Sequence, residues 1–259
     1  MVSKNKIKPN IVISKCLEFD KCRYDGAMIK NNYINKLKPF INFIEVCPEV
    51  EIGLGTPRKP IRIIQNKINK ILLQKSTGKE FSNKMNDFSN KFLTKIKNID
   101  GFILKSKSPS CGIKSAKVYS NSKKPIVIKK GSGLFAEKII SKFPLIPLEE
   151  ETRLNNTAIR EHFYTSIFTI TDFRNVKTIG DLYDFQGKNK YLFMTYNQTV
   201  MKKMGKIAAN ANNKTIKNTL ADYYEFLLIL FSKKSRYTSN INTQMHVMGY
   251  FKKQLTNKE

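Results

Sequence analysis

The sequence predicts an α/β protein, with a parallel-sheet N-terminal domain followed by a smaller all-α C-terminal domain. One observation is a set of short, mainly apolar runs at residues 11–13, 43–46 and 102–104, which are typical of buried strands. A second is that helical patterns separate these runs, an alternation that favours a parallel sheet with right-handed crossovers. A third is that the pattern beyond residue 151 is mostly helical.

Further elements of the predicted fold follow in chain order. Apolar residues at intervals of three and four predict a helix over residues 81–96. Residues 126–128 predict another strand of the same alternating pattern, and Gly131-Ser132-Gly133 then leads into a helix over residues 136–143. Beyond residue 151, apolar residues at helical spacing predict segments at 157–171, 190–204, 220–231 and 245–253.

The domain boundary is expected between residues 148 and 149. Pro144 and Pro147 exclude a continuous helix there, and the acid triplet Glu149-Glu150-Glu151 interrupts an otherwise basic chain. We therefore expect a domain at 1–148 that carries the cysteines and a helical domain at 149–259.

Length and apolar content indicate a globular protein. The 259 residues are 41% hydrophobic, which suffices for a real core, and no apolar stretch approaches the roughly 20 residues that span a bilayer. No membrane association is therefore expected, and we expect a cytoplasmic protein. In that compartment, four cysteines are more often metal ligands or catalytic groups than disulfides.

The net charge of +27 makes nucleic acid the expected partner, because basic surfaces bind phosphate backbones by releasing their counterions. Residues 1–148 carry 30 basic against 10 acidic side chains, and residues 149–259 carry 17 against 10. The part that contains the cysteines is thus the more basic one. The alternative is a biased composition in which the lysines only solvate the surface.

Three cysteines each follow a predicted strand: Cys16, Cys47 and Cys111. Because the carboxyl ends of parallel strands meet at one edge of a sheet, the three thiols are expected to converge there. Three thiolates form a metal-ligand set that leaves one coordination position open, as in a reactive centre rather than a closed structural one.

The sequence lacks the motifs of several other kinds of catalytic or cofactor-binding site. His162 and His246 both lie in the helical part, so a Ser-His-Asp triad beside the cysteines is not expected. Gly53-Leu54-Gly55 lacks the third glycine of a dinucleotide fingerprint, and the sequence contains no Walker-type loop, so no nucleotide cofactor is expected. The zinc-deaminase signature is also missing.

The flanking sequences resemble a known family, the iron-sulfur thiouracil desulfidases, over roughly residues 8–140. The region beyond residue 150 resembles the helical domain that is fused to it in two-domain desulfidases acting on thiolated tRNA. The matching motifs are Ser14-Lys15-Cys16-Leu17, Arg23-Tyr24-Asp25-Gly26, Cys47-Pro48-Glu49-Val50, Gly53-Leu54, Thr56-Pro57-Arg58 and Ser108-Pro109-Ser110-Cys111-Gly112.

The resemblance implies a 4Fe-4S cluster held by Cys16, Cys47 and Cys111, with one open iron. It also implies that Glu49 and Ser108 assist catalysis. Cys22 lies outside this three-ligand pattern, and we expect it not to be a ligand; a fourth thiolate would close the site.

Four residues beside the cysteine motifs are candidate contacts of the substrate or cluster: Arg23, Asp25, Arg58 and Ser110. The alternative interpretation is structural. Asp25 would cap a turn, and Arg58 would pair with an acid. Likewise, Glu49 would be a helix N-terminal or salt-bridging carboxylate, and Ser108 and Ser110 would be turn residues beside a proline.

The function that this resemblance implies is a tRNA thiouridine desulfidase, which converts thiouridine, in the first instance 4-thiouridine, to uridine with release of sulfide. One alternative is the same reaction on free thiouracil or thionucleosides, which would make a small thiobase the partner. The others are a non-catalytic, metal-stabilised RNA-binding protein and a redox sensor.

Overall fold

The computed structural model describes residues 7–66, 69–120, 126–211 and 215–252. The chain divides into two compact units, one formed by Lys8–Phe163 and the other mainly by the chain from Tyr164 onward. The α/β fold class expected from the sequence is confirmed, with a parallel sheet in the N-terminal part and helices in the C-terminal part.

The strands and helices of the first unit alternate along the chain. In order they are β1 (Asn10–Ser14), α1 (Asn32–Leu37), β2 (Asn42–Val46), α2 (Pro48–Glu51), β3 (Arg62–Asn66), β4 (Asn69–Gln74), β5 (Lys79–Glu80), α3 (Ser82–Lys95), β6 (Gly101–Leu104), β7 (Ala116–Ser120), β8 (Val127–Gly131), α4 (Leu134–Lys142) and β9 (Leu148–Glu150).

The parallel sheet has the strand order β2-β1-β6-β9. Its central strand β1 places Ile11, Val12 and Ile13 fully inside the protein. A strand with neighbours on both sides and cover on both faces requires such an unbroken apolar run. The register sets Ile11 opposite Phe43 of β2 and opposite Gly101 of β6, so the three strands end close together.

A mixed sheet, with the order β5-β4-β3-β7-β8, was not expected from the sequence. The predicted strand at residues 126–128 corresponds to β8, but β8 pairs antiparallel with β7 in this mixed sheet, so its assignment to the parallel sheet is wrong. Val127 and Ile128 are about half exposed, because β8 lies at a sheet edge. A short apolar run alone does not distinguish such a strand from a buried one.

One core joins the two sheets of the first unit. Val12 and Phe102 of the parallel sheet, Ile63 and Val118 of the mixed sheet, and Met85 of α3 belong to the same buried cluster. Helix α3 confirms the helix expected over residues 81–96, and α4 confirms the one expected near 136–143.

The chain beyond β9 is helical, with a short 3-10 helix at Arg153–Asn155. Within the ranges given above, no helix is long and apolar enough to cross a membrane. The helices are α5 (Thr157–Phe173), α6 (Ile179–Tyr196), α7 (Gln198–Ala209), α8 (Ile216–Phe231) and α9 (Tyr237–Met248).

The single helix predicted over residues 190–204 is wrong. Asn197 has extended backbone angles, and its side chain accepts the amide N–H of Val200 at 3.1 Å, so it ends α6 and caps α7. In the predicted segment 245–253, α9 ends at Met248 and a 3-10 turn follows at Gly249–Phe251. Lys253 lies outside the described residues.

The boundary between the two compact units lies later in the sequence than the boundary that we expected. Strand β9 pairs in parallel with β6, with Leu148 opposite Phe102 and Glu150 opposite Leu104. The boundary expected between residues 148 and 149 would therefore cut a strand of the parallel sheet. The structural division falls instead between Phe163 and Tyr164, within α5.

Candidate functional site

A cavity of about 460 Å³ lies at the carboxyl edge of the parallel sheet. Cys16 follows β1, Cys47 follows β2, and Cys111 lies in the loop after β6. All three line the cavity, as the parallel pairing of these strands led us to expect. A hydrogen bond from the Lys105 amide to Ser14 Oγ, at 2.9 Å, joins the ends of β1 and β6 beside it.

Cys22 also lines the cavity and is only 4% exposed. The Cys47 thiol donates to the Cys22 carbonyl at 3.7 Å, and hydrogen bonding with the Cys16 thiol is the main reason why the pKa of Cys22 is raised to about 11. The structure thus brings a fourth thiol to the three that the sequence singled out.

The thiols of Cys47 and Cys111 are held in their neutral form. The hydrogen bond with Cys22, followed by burial, raises the pKa of Cys47, and burial raises the pKa of Cys111. A thiol must lose its proton to bind a metal, so metal binding at these residues would release protons. Over the part of the chain that the structure describes, no three His, Cys, Asp or Glu side chains are grouped to hold a single metal ion.

Glu49, on the short helix α2 directly after Cys47, is held by Arg58. Arg58 Nε and Nη2 donate to Glu49 Oε2 at 3.0 and 2.8 Å, and the exposed fractions of the two side chains are 7% and 12%. Arg58 Nη1 also donates to the Cys22 carbonyl at 2.9 Å. Arg58 was a candidate substrate contact, with pairing to an acid as the structural alternative. The structure shows the pairing, with Glu49.

The two serines of the Cys111 motif face the other oxygen of Glu49. Ser110 Oγ donates to Glu49 Oε1 at 2.9 Å, and Ser108 Oγ lies 3.5 Å from the same oxygen. Ser108 Oγ also accepts the amide N–H groups of Ser110 and Cys111, at 3.1 and 3.0 Å. The Ser108 hydroxyl thus connects the carboxylate to the backbone of a cysteine in the cavity wall.

Arg23 and Asp25 form a turn at the cavity rim. Arg23 lines the cavity and pairs with Asp25 at 3.1 Å. Asp25 Oδ1 accepts the Ala27 N–H at 3.1 Å, and Gly26 has a φ of +72°, which favours glycine. Asp25 therefore caps a turn, as the structural alternative expected, and it also holds the Arg23 side chain at the rim.

The cavity wall is strongly basic. Among the described residues that line it, Glu49 is the one carboxylate. Arg62 of β3 lies over the ring of Tyr119 of β7 at 5.0 Å, so the mixed sheet contributes a cation and an aromatic ring that the sequence did not single out. The cationic lining residues are Lys15, Arg23, Arg58, Arg62, Lys105, Lys107 and Lys117.

The N-terminus of α4 supports the backbone of the Cys111 motif. The amides of Leu134 and Ala136 donate to the carbonyls of Pro109 and Ser110, at 3.1 and 3.0 Å. A Cβ at Gly133 would lie 2.5 Å from the Ser110 carbonyl, so only glycine allows this contact. The sequence analysis noted Gly131-Ser132-Gly133 only as the lead into a helix, because the contact that requires Gly133 is with a loop about twenty residues earlier in the chain.

Comparisons with known proteins match both parts of the chain. A family model described as 2-thiouracil desulfurase matches residues 11–151, more than half of the chain, and one described as a protein of unknown function, DUF1722, matches residues 190–259. Over 109 residues, 39% of this chain and 72% of the relative, the sequence is 33% identical to the uncharacterized protein YbbK of Bacillus subtilis (strain 168). A solved 4Fe-4S-dependent thiouracil desulfidase, TudS, is 26% identical and has a TM-score of 0.43, with coverage of 60% of this chain and 98% of that chain.

Gly133→Ala is expected to displace the Cys111 motif. Gly133 has a φ of −67°, which alanine adopts freely, so the effect isolates the clash with the Ser110 carbonyl. We expect a loss of about 1–3 kcal/mol in the free energy of unfolding, as for other overpacked sites, measured by denaturant titration. Gly187→Ala is the control, because no atom lies within 4 Å of its added Cβ. Equal stability of Gly133→Ala and the wild type would contradict the close contact.

Proposed function

The chain belongs to the 2-thiouracil desulfurase family, and on this premise we propose that it removes the sulfur atom of a thiouracil base. The reaction turns a thiocarbonyl and water into a carbonyl and hydrogen sulfide. The observation that carries the proposal is the convergence of Cys16, Cys47 and Cys111 with Glu49 on one cavity.

The proposed cofactor is a 4Fe-4S cluster with Cys16, Cys47 and Cys111 as its ligands. The donor set supports this, since thiolates are the usual ligands of such clusters and these three come from separate strand ends around one cavity. With three protein ligands, the bound cluster supplies an iron with an open position, a Lewis acid that polarises a thiocarbonyl.

Glu49 is the proposed carrier of the proton that the attacking water loses. Its Oε2 is occupied by the Arg58 guanidinium, which fixes the plane of the carboxylate. Oε1 faces the cavity serines and retains a lone pair for the water proton. Ser110 holds this oxygen in place, and the proposed task of Ser108, whose Oγ lies 3.5 Å from it, is to orient the base.

The proposed substrate is thiouridine within tRNA, in the first instance 4-thiouridine. Two observations support it: the net charge of +27 and a cavity wall with seven cationic side chains, of which four pair with a carboxylate while Arg62, Lys107 and Lys117 have no ion pair among the described residues. An uncharged base needs no such wall, whereas a base attached to a phosphate backbone does. The target base would have to leave its stack to reach the cavity.

The position of Cys22 favours a second candidate from another class. Its thiol contacts those of Cys16 and Cys47, and a fourth ligand would close the centre and leave a metal-stabilised RNA-binding protein or a redox sensor. The two candidates differ in iron retention and in sulfide release.

Glu49→Gln is expected to lower the rate of sulfide release from a thiolated substrate by about 100-fold or more, because the water loses its proton acceptor. The bound iron should be unchanged, since Glu49 is not a proposed ligand. Glu51→Gln, an exposed carboxyl on the same helix, is the matched control and should retain the wild-type rate. Wild-type turnover by Glu49→Gln would remove Glu49 from the mechanism.

Cys22→Ala is expected to retain about four irons per chain after anaerobic reconstitution, whereas Cys16→Ala, Cys47→Ala and Cys111→Ala should lose them. Iron, sulfide and zinc are measured on each variant. Loss of iron from Cys22→Ala, or stoichiometric zinc in the wild type, would favour the closed centre.

Thiolated tRNA is expected to give a value of kcat/KM at least about 10-fold above that of free thiouracil, and this advantage should shrink as salt rises from about 50 to 200 mM. Sulfide release and nucleoside composition are measured together. Equal activity on the free base, with no salt dependence on tRNA, would assign the enzyme to small thiobases.

A further inference from the structure

The acid triplet Glu149-Glu150-Glu151 does not behave as a solvated linker. Glu150 and Glu151 are only 4% and 3% exposed, although acidic side chains are almost never fully buried unless they are paired. Among the described residues, the hydrogen-bond partners of their side chains lie in residues 105–115, the segment between β6 and β7 that carries Ser108, Ser110 and Cys111, here called the Cys111 loop.

Glu150 holds the end of the Cys111 loop. Its Oε1 accepts the Ile113 amide N–H at 2.6 Å and the Ser115 hydroxyl at 2.6 Å, with the Lys114 amide N–H at 3.4 Å. All these donors reach the same oxygen atom. They follow Cys111 within four residues, so they restrain the loop directly after the thiol.

Glu151 holds the start of the same loop with both of its oxygens. Oε2 accepts the Ser106 amide N–H at 2.6 Å. Oε1 accepts the Ser106 hydroxyl at 2.8 Å and the Lys105 ammonium at 2.6 Å. Lys105 and Ser106 both line the cavity, so this contact fixes its wall just before Ser108.

Both carboxylates are mounted on the parallel sheet. Glu150 lies opposite Leu104 in the pairing of β9 with β6, and the Glu151 amide donates to the Leu104 carbonyl at 3.2 Å. The same sheet carries β2, whose end leads to Cys47 and Glu49. The sheet therefore connects the two carboxylates to the residues that the Cys111 loop must face.

We propose that Glu150 and Glu151 are positioning residues that clamp both ends of the Cys111 loop and so set Ser108, Ser110 and Cys111 at their places opposite Glu49. The effect of this clamp on catalysis rests on the proposed function, whereas the contacts that form the clamp do not. Misplacement of reacting groups by about 1 Å is enough to cost about 100-fold in rate.

The two carboxylates differ in how many of their oxygens accept hydrogen bonds from the Cys111 loop: one oxygen of Glu150 and both oxygens of Glu151. In Glu150→Gln the amide oxygen can take the place of Oε1 and accept the same three donors. Glutamine at position 151 must point its NH₂ group at the donors of one side, either the Ser106 amide or the Lys105 ammonium. Glu150→Gln should therefore be tolerated and Glu151→Gln should not.

The experiment uses the full iron-loaded chain under anaerobic conditions, with Glu149→Gln as the matched control. Glu149 belongs to the same triplet but pairs with Arg153, which is 54% exposed, so its loss should change little. Each variant is assayed for kcat and KM of sulfide release from thiolated tRNA. Amide hydrogen exchange of residues 105–115, retained iron and thermal unfolding are measured on the same samples.

We expect Glu151→Gln to lower kcat by about 10- to 100-fold with KM within about 2-fold, and to speed exchange of the Ser106 amide. Glu150→Gln should keep kcat within about 3-fold of the wild-type value. Glu150→Ala should lower kcat by about as much as Glu151→Gln does, and it should speed exchange of the Ile113 amide. Exchange in β1 and β2 should not change in any variant. Ser115→Ala, which removes one donor to Glu150 and the acceptor of the Lys107 amide N–H, is a milder second variant should the others fail to fold, and it should speed exchange at Ile113.

Equal effects of Glu149→Gln and Glu151→Gln would overturn the clamp, and so would unchanged exchange of the Cys111 loop in Glu151→Gln and Glu150→Ala. A uniform rise of exchange throughout the first unit would also overturn it, because it would indicate a general loss of stability. If the wild type releases no sulfide from any thiolated substrate, the proposed function fails, and the exchange of Ser106 and Ile113 still decides the clamp.

Discussion

The parallel pairing of β1 with β2 on one side and β6 on the other is the constraint on which the site depends. It brings the carboxyl ends of three strands to one edge, and each end continues into a cysteine-bearing segment. The apolar run of β1 keeps this strand at the centre of the sheet, because a strand with a neighbour on each side and cover on both faces must bury every side chain of the run. The chemistry of the cavity therefore begins with the burial of Ile11, Val12 and Ile13.

Glu49 is the point at which the separate segments of the site meet. Through Arg58 it is connected to the Cys22 carbonyl, and through Ser108 and Ser110 it is connected to the backbone of Cys111. A buried charge requires a partner and satisfied hydrogen bonds, and the partners of Glu49 are Arg58 on one side and the two serines before Cys111 on the other. The carboxylate thus has a structural task beside the chemical one that we propose for it.

The sequence predicted the parts of the structure that local patterns determine. Continuous apolar runs identified β1, β2 and β6, and the cysteines after them line one cavity. The mixed sheet was missed because β5 is only two residues long, and because β8 is an exposed edge strand whose pattern resembles a buried one. The contacts of Glu150 and Glu151 were missed because their partners lie 35 to 46 residues away, and a run of acids in a basic chain resembles a solvated linker.

Strand β9 also determines where the protein could be divided. A fragment that ends at residue 148 would lack most of the strand that pairs with β6, together with both carboxylates that hold the Cys111 loop. A fragment that ends after Phe163 would keep them all within one compact unit. The contacts that hold the site therefore extend beyond the segment that contains its cysteines, and a fragment that ends at residue 148 would lose both carboxylates without losing a residue of the cavity wall.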